Sequence, residues 1–323
     1  MTAASSKTAI VVGSGPNGLA AAVKLARAGL KVTVLEAAEE IGGGTRSSEM
    51  IEAGLLHDHC SAVHPIAAGS PFLNELGLEA RGLRWAQPEI DCVHPLDDGS
   101  AGVMFRSIDR TAEALGADGE RWRRIFGSPV HRFENLIAGV TKPVLRLPRH
   151  PLTMARFGMI AATPATSLAR VWRTEQAKAR WAGVAAHALH RLDRPMTSAV
   201  GAMLVVAGHA RGWVVAEGGS RAISDALLAE LLEHGGRVET GHRVSSVGDL
   251  PPFDVLMLDV SPSGAMSILE DQLPRRVARA YGSVKHGPGA FKVDFAVEDG
   301  IPWTSSDARK AGTVHVGGDI EEI

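Results

Sequence analysis

The sequence predicts the α/β fold class: a parallel-sheet domain interleaved with a second, mixed α+β domain. Two observations predict it. Apolar runs of strand length alternate with Ala- and Leu-rich helical stretches in the first 46 residues, and again between residues 217 and 260. Between them lies a mainly helical segment, from Asp109 to about Arg191. Strands that alternate with helices give a parallel sheet with helices on its faces. At 323 residues the chain is long enough for two domains.

The first unit is the most informative. Thr8 to Val12 is an apolar run that leads into Gly13-Ser14-Gly15-Pro16-Asn17-Gly18, and a helix is expected from Asn17 to Ala28. Val32 to Leu35 is a second apolar run ending on Glu36, 23 residues after Gly13. Each part suits a dinucleotide. Gly13 permits the tight strand-to-helix turn, Gly15 lets a pyrophosphate approach the backbone, and Gly18 lets helix and strand pack closely. Phosphates favour the free N–H groups at a helix N-terminus, so the start of this helix, with Pro16 and Asn17, belongs to the expected site. At the tip of the second strand, next to Ala37, the Glu36 carboxylate would accept ribose hydroxyls and repel a 2′-phosphate. These elements in this order predict a Rossmann-like dinucleotide-binding domain.

Flavin and nicotinamide nucleotides share this unit, and the residues after Glu36 separate them. Gly42, Gly43 and Gly44 form a Gly-rich turn followed by Arg46. Such a turn lets the backbone run under a pyrophosphate, and a guanidinium pairs with phosphate oxygens. This favours FAD over a nicotinamide cofactor.

Further elements follow in order. Residues 83 to 107 read as short strands, with Asp97-Asp98-Gly99-Ser100 as a hairpin turn between Val93 and Val103. The helical segment is expected to break at Pro129, Pro143, Pro148, Pro151 and Pro164. Ala199 to Ala207 is an apolar, small-residue stretch. Glu217-Gly218-Gly219-Ser220 leads into a helix from about Arg221 to His234, with Ile223, Leu227, Leu228, Leu231 and Leu232 on its apolar side. Arg237–Thr240 and His242–Val247 read as a strand pair, and Phe253–Val260 as an apolar strand. A helix near Arg275–Tyr281 and strands near Ala290–Val297 and from Thr313 towards Asp319 complete the pattern. There is no internal repeat.

Composition excludes several classes. The formal charge is −2 and basic residues are dispersed, so no nucleic-acid surface is expected. Cys60 and Cys92 form neither a CxxC pair nor a disulfide framework, which fits a reducing cytoplasm. The opening MTAASSK lacks a signal-peptide core, and no apolar run reaches membrane-spanning length. Peripheral membrane contact has no support in the sequence. His57, His59, Cys60 and His64 invite a metal reading, but no second ligand cluster accompanies them, so no metal is expected. His187 and His190 read as surface or satisfied polar residues, and His209 and Trp213 as packing or substrate-facing ones. The serines lack a G-x-S-x-G elbow, which leaves a hydrolase without support.

The stretch VVGSGPNGLAAAVKLARAGLKVTVLEAAEEIGGGTRS resembles the N-terminus of phytoene-desaturase-like flavoproteins, within the flavin amine-oxidase superfamily. The resemblance continues in Asp58-His59-Cys60-Ser61-Ala62-Val63-His64-Pro65 and in WVVAEGGSRAISDALLAELLEHGGRVETGHRV. It departs from many amine oxidases at Gly44, where those proteins carry Arg. It implies FAD, with Gly13, Gly15 and Gly18 at the pyrophosphate, Glu36 on the adenosine ribose, Arg46 near the phosphates and the Val244 backbone at the adenine. It also implies an FAD-binding domain of residues 1–70 and 212–265, and a substrate or cap domain of residues 71–211 and 266–323. The late segment that completes the flavin site in this family is not found, so the fold is expected to be C-terminally incomplete and FAD binding by this chain alone weak. The expected activity is dehydrogenation or desaturation of a hydrophobic or amphipathic small molecule. Flavin-dependent amine oxidation, a non-catalytic FAD-binding protein and a nicotinamide-dependent dehydrogenase are the alternatives. The pattern names no catalytic residue and no electron acceptor.

Overall fold

A computed structural model describes residues 7–142, 147–318, 320 and 322–323. The opening MTAASS, the expected break at Pro143 and the strand end at Asp319 lie outside the described residues. In chain order the strands are β1 (Thr8–Val12), β2 (Lys31–Leu35), β3 (Ser47–Glu49), β4 (Leu56–Asp58), β5 (Trp85–Ala86), β6 (Ile90–Pro95), β7 (Ala101–Met104), β8 (Val215–Ala216), β9 (Arg237–Glu239), β10 (Val255–Leu258) and β11 (Ala311–Val314).

The main sheet has the order β10-β1-β2-β9 and is parallel throughout. Alternation along β1 and β2 divides its side chains between two faces. Ala9, Val11, Val32 and Val34 pack against α1 (Pro16–Arg27) and the helix Arg221–Glu233, through Leu19, Val23, Leu227 and Leu231. Ile10, Val12 and Leu35 face the other way, onto Ile268 of the helix Pro262–Leu269 and the partly buried Val244. Leu76, Leu78 and Leu83 join the first of these cores.

The segment inserted between β4 and β8 has its own core. Trp122, Phe126, Trp172 and Trp181 form a tilted aromatic stack among helices, closed by the helix Ser198–Arg211. A second sheet, β11-β6-β7, lies against this core through Cys92 and Met104. β6 and β7 form the expected hairpin, with Val93 opposite Val103, and β11 runs parallel to β6.

Four expectations are corrected. Pro129 lies inside the helix Gly119–His131. It stands two residues before the helix end, so the ladder loses one hydrogen bond there and helix resumes at Phe133. Arg237–Thr240 and His242–Val247 do not pair with each other: β9 pairs with β2 instead, and residues 242–246 belong to no strand. Ala290–Val297 is not a strand. Its alternating Phe291 and Phe295 are 94 % and 75 % exposed, and a period of two forms a strand only where a neighbour supplies the ladder. Leu232 is exposed, because Leu227 and Leu231 already fill the face of its helix that meets the sheet.

Candidate dinucleotide site

A cleft of about 890 Å³ opens where β1, β2 and β10 end. Ligands of open α/β sheets bind there, outside the carboxyl ends of the strands. Gly13, Gly15, Pro16, Asn17, Glu36, Ala37, Gly43, Gly44, Arg46 and Val244 line it. The structure thus brings to one cleft every residue that the sequence singled out for the cofactor, except Gly18 and Gly42. Gly18 lies beneath, where a Cβ would overlap the backbone oxygen of Gly13.

The turn is built by backbone. Gly13, at φ +102°, donates its N–H to the Leu35 oxygen at 2.8 Å and so fixes β1 to β2 at the mouth. The second Gly-rich turn stacks on the first: the Gly42 amide donates to the Ser14 oxygen at 2.9 Å, and a Cβ at Gly43 would stand 3.1 Å from Gly15 Cα. Thr45 clamps that turn, donating to the Gly42 oxygen at 2.8 Å and meeting Ser224 Oγ at 2.6 Å.

Glu36 is buried and well bonded. Its Oε2 accepts the Ser14 amide and hydroxyl, and its Oε1 accepts the Ala38 amide at 2.9 Å and Arg46 Nη2 at 3.2 Å. Burial alone would raise this carboxyl. The Ser14 hydroxyl, the Ala38 and Ser14 amides and the Arg46 charge outweigh burial and hold it below its ordinary value. Arg46 also donates to the backbone oxygens of Glu40 and Ile41, so its guanidinium sits on the Glu36 side of the cleft.

The segment after Arg46 carries a polar brace. Asp58 Oδ1 accepts the Ser47 hydroxyl at 2.6 Å and the Ser220 amide at 2.7 Å. His64 Nε2 lies 2.7 Å from Ser220 Oγ, and burial pushes its imidazole below the ordinary range. The Asp58–His64 segment and the Gly218-Gly219-Ser220 turn are therefore tied together on one side of the cleft, with Ser61 and His64 in its wall. Among the described residues no group of three or more His, Cys, Asp or Glu side chains is placed to hold a metal ion. His209 lies in the helical core, bonded to Trp122.

Ser14, which is buried just beneath the cleft, and the lining residues His242, Arg243 and Asp259 have no role in the sequence pattern. Ser14 lies inside the motif, between glycines whose signal outweighs its own. His242 and Arg243 precede Val244 at the rim, and Asp259 follows β10. Only Asp259 carries a usable signal: like Glu36, it is a carboxylate at the carboxyl end of an apolar strand.

The family described as NAD(P)-binding Rossmann-like domain matches residues 11–75. The N-terminal unit is Rossmann-like in fold. The chain is 31 % identical over 122 residues to one of the subunits of limonene dehydrogenase from Castellaniella defragrans, covering 36 % of this chain and 22 % of that one. It is 52 % identical over 79 residues to hydroxysqualene dehydroxylase of Rhodopseudomonas palustris, covering 23 % and 18 %. The matched stretches thus span about a fifth of the length of these curated relatives. Among solved structures, an oxidoreductase from Methanosarcina mazei superposes with a TM-score of 0.57 at 16 % identity, covering 85 % of this chain and 64 % of that one. Putrescine oxidase bound to putrescine superposes with a TM-score of 0.53 at 20 % identity, covering 86 % and 63 %. At such identities the likeness is one of fold, and it extends through the inserted segment as well as the Rossmann-like unit. Together these matches agree with the resemblance to phytoene-desaturase-like oxidoreductases.

Proposed function

We propose that the cleft binds FAD and that the protein is an FAD-dependent oxidoreductase of the dehydrogenase or desaturase type, acting on a hydrophobic or amphipathic small molecule. The observation that carries this reading is the convergence of two Gly-rich turns, a strand-end carboxylate and an apolar wall on one cleft large enough for a dinucleotide. The two turns fit the group, because the Gly43-to-Gly15 approach leaves no room for a side chain between them. The names of the two sequence relatives, a limonene dehydrogenase and a hydroxysqualene dehydroxylase, support the oxidoreductase class and an apolar substrate.

In this reading the Gly13, Gly15, Pro16 and Asn17 turn faces the pyrophosphate, with Gly18 packed beneath it and Gly43 and Gly44 beside it. Glu36 and Ala37 take the ribose, Val244 the adenine, and Arg46 serves the phosphates from its seat on Glu36. Residues 1–70 and 212–265 form the cofactor domain, and residues 71–211 with 266–323 the substrate side. When bound, FAD supplies the hydride acceptor. The protein's share is to orient the two partners and keep water out.

The test is a titration of the purified chain with FAD and NAD, followed by flavin absorbance and fluorescence. Saturable FAD binding, stronger than NAD binding and weakened by Glu36→Gln, is expected. Binding of NAD in preference to FAD would overturn the assignment. Anaerobic bleaching of bound flavin by apolar alkenes and terpenoid alcohols then reports the substrate class.

A further inference from the structure

Asp259 stands where the glycine motif was expected to make room for phosphate. Its backbone N–H donates to the Val12 oxygen at 2.8 Å, which seats it at the carboxyl end of β10 directly beside the motif. Its Oδ2 accepts the Gly18 amide at 2.8 Å. Gly15 is the N-cap of α1 and has no side chain to offer, so Asp259 supplies the missing acceptor from a strand 241 residues away.

All three motif glycines abut this residue. A Cβ at Gly15 or at Gly18 would stand 2.9 Å from Asp259 Oδ2, and one at Gly13 would overlap the Asp259 backbone oxygen. The absent side chains therefore accommodate Asp259 itself, and its carboxylate still lines the cleft. A negative charge at a helix N-terminus is favourable, so the protein carries its own anion at the position that otherwise draws phosphate.

Resting on the reading of this cleft as a dinucleotide site, we infer that Asp259 is a positioning residue that sets how strongly the phosphates are held. It takes the Gly18 amide and leaves the amides before it for the ligand. It also places a like charge beside the pyrophosphate. Affinity then comes mainly from the adenosine end, through Glu36 and the apolar wall, and the diphosphate adds little.

The experiment compares adenosine, ADP and FAD binding to the wild type, Asp259→Asn and Asp259→Ala, with thermal unfolding of each. Asparagine keeps an oxygen for the Gly18 amide and removes the charge. Asp259→Asn is expected to tighten ADP and FAD on the order of tenfold and to leave adenosine unchanged. In the wild type, ADP and adenosine are expected to bind within about tenfold of each other, a comparison that needs no variant to fold. Asp259→Ala is expected to lower the melting temperature by loss of the cap. A purely structural role would move stability but not the ratio of ADP to adenosine affinity. Equal or weaker ADP binding by Asp259→Asn, or ADP binding more than about a hundredfold tighter than adenosine in the wild type, overturns the inference and leaves the FAD assignment standing. Failure of the wild type to bind FAD or ADP at all overturns the reading of the cleft, and this inference with it.

Discussion

Ser14 and Glu36 are joined twice: the amide and the hydroxyl of Ser14 both donate to Glu36 Oε2, at 2.9 and 2.6 Å. The residue between the first two motif glycines thus orients the carboxylate at the tip of the next strand. Ser14→Ala removes one of these bonds and is expected to weaken FAD binding by about three- to tenfold. Because the Glu36 carboxyl is held below its ordinary 4.5, its contribution to stability is present above that pH and is lost as pH falls through the lower folded value. Flavin fluorescence titrations of Ser14→Ala, with acid unfolding of Glu36→Gln beside the wild type, check both points.

Gly18 and Gly127 are both helical glycines with opposite surroundings. A Cβ at Gly18 would overlap the Gly13 backbone oxygen, whereas nothing lies within 4 Å of one at Gly127. Gly18→Ala is expected to destabilise by about 3 kcal/mol, because the Gly13 backbone and the Asp259 side chain must both shift. Gly127→Ala is expected to stabilise by about 0.5–1 kcal/mol through helix propensity. Urea unfolding of the two variants measures the contrast.

His209 is held in one tautomer. Its Nε2 accepts the Trp122 indole N–H at 2.9 Å, so its Nδ1 carries the proton, which points at the Arg106 oxygen 3.1 Å away. Burial pushes this imidazole down to about 4. The unfolded chain then binds a proton that the native state refuses, and stability falls as pH drops from 6.5 to about 4. His209→Ala is expected to cost about 2–4 kcal/mol, since it opens a cavity and orphans a buried indole N–H. Its melting temperature should fall while FAD affinity holds.

Asp91 gives the opposite slope. It is fully buried, and burial raises its carboxyl to about 7 against the pull of its hydrogen bond from Gln87. The native state here holds a proton that the unfolded chain has released. The contribution is therefore favourable at low pH and is lost as pH rises from 3.8 to about 7. Asp91→Asn is expected to flatten that part of the stability profile, as followed by urea unfolding across the range.

The parallel sheet and most of the cleft are legible in the sequence because their signals are local. The βαβ unit spans only Thr8 to Leu35, and its turn chemistry depends on residue type alone. The hairpin between Val93 and Val103 is legible for the same reason. What escapes is non-local. β9 reads as half of a hairpin until β2 is seen to be the strand it pairs with. Residues 290–297 carry a strand pattern that their neighbours do not complete. The strand-end place of Asp259 is legible, but its hold on Gly18 is hidden because the partner amide lies 241 residues earlier. No spacing rule connects the two.

The order β10-β1-β2-β9 also governs how the molecule assembles. β1 and β2 are made first, yet both of their outer neighbours come after the inserted segment, with Ala9 opposite Val255. Closing so long a loop is slow, and strands without partners are open to aggregation meanwhile. On a ribosome, the helical insert would emerge and collapse while the first two strands still lacked their flanks. The Gly-rich turn would take its final shape last, on the arrival of β10 and the aspartate behind it.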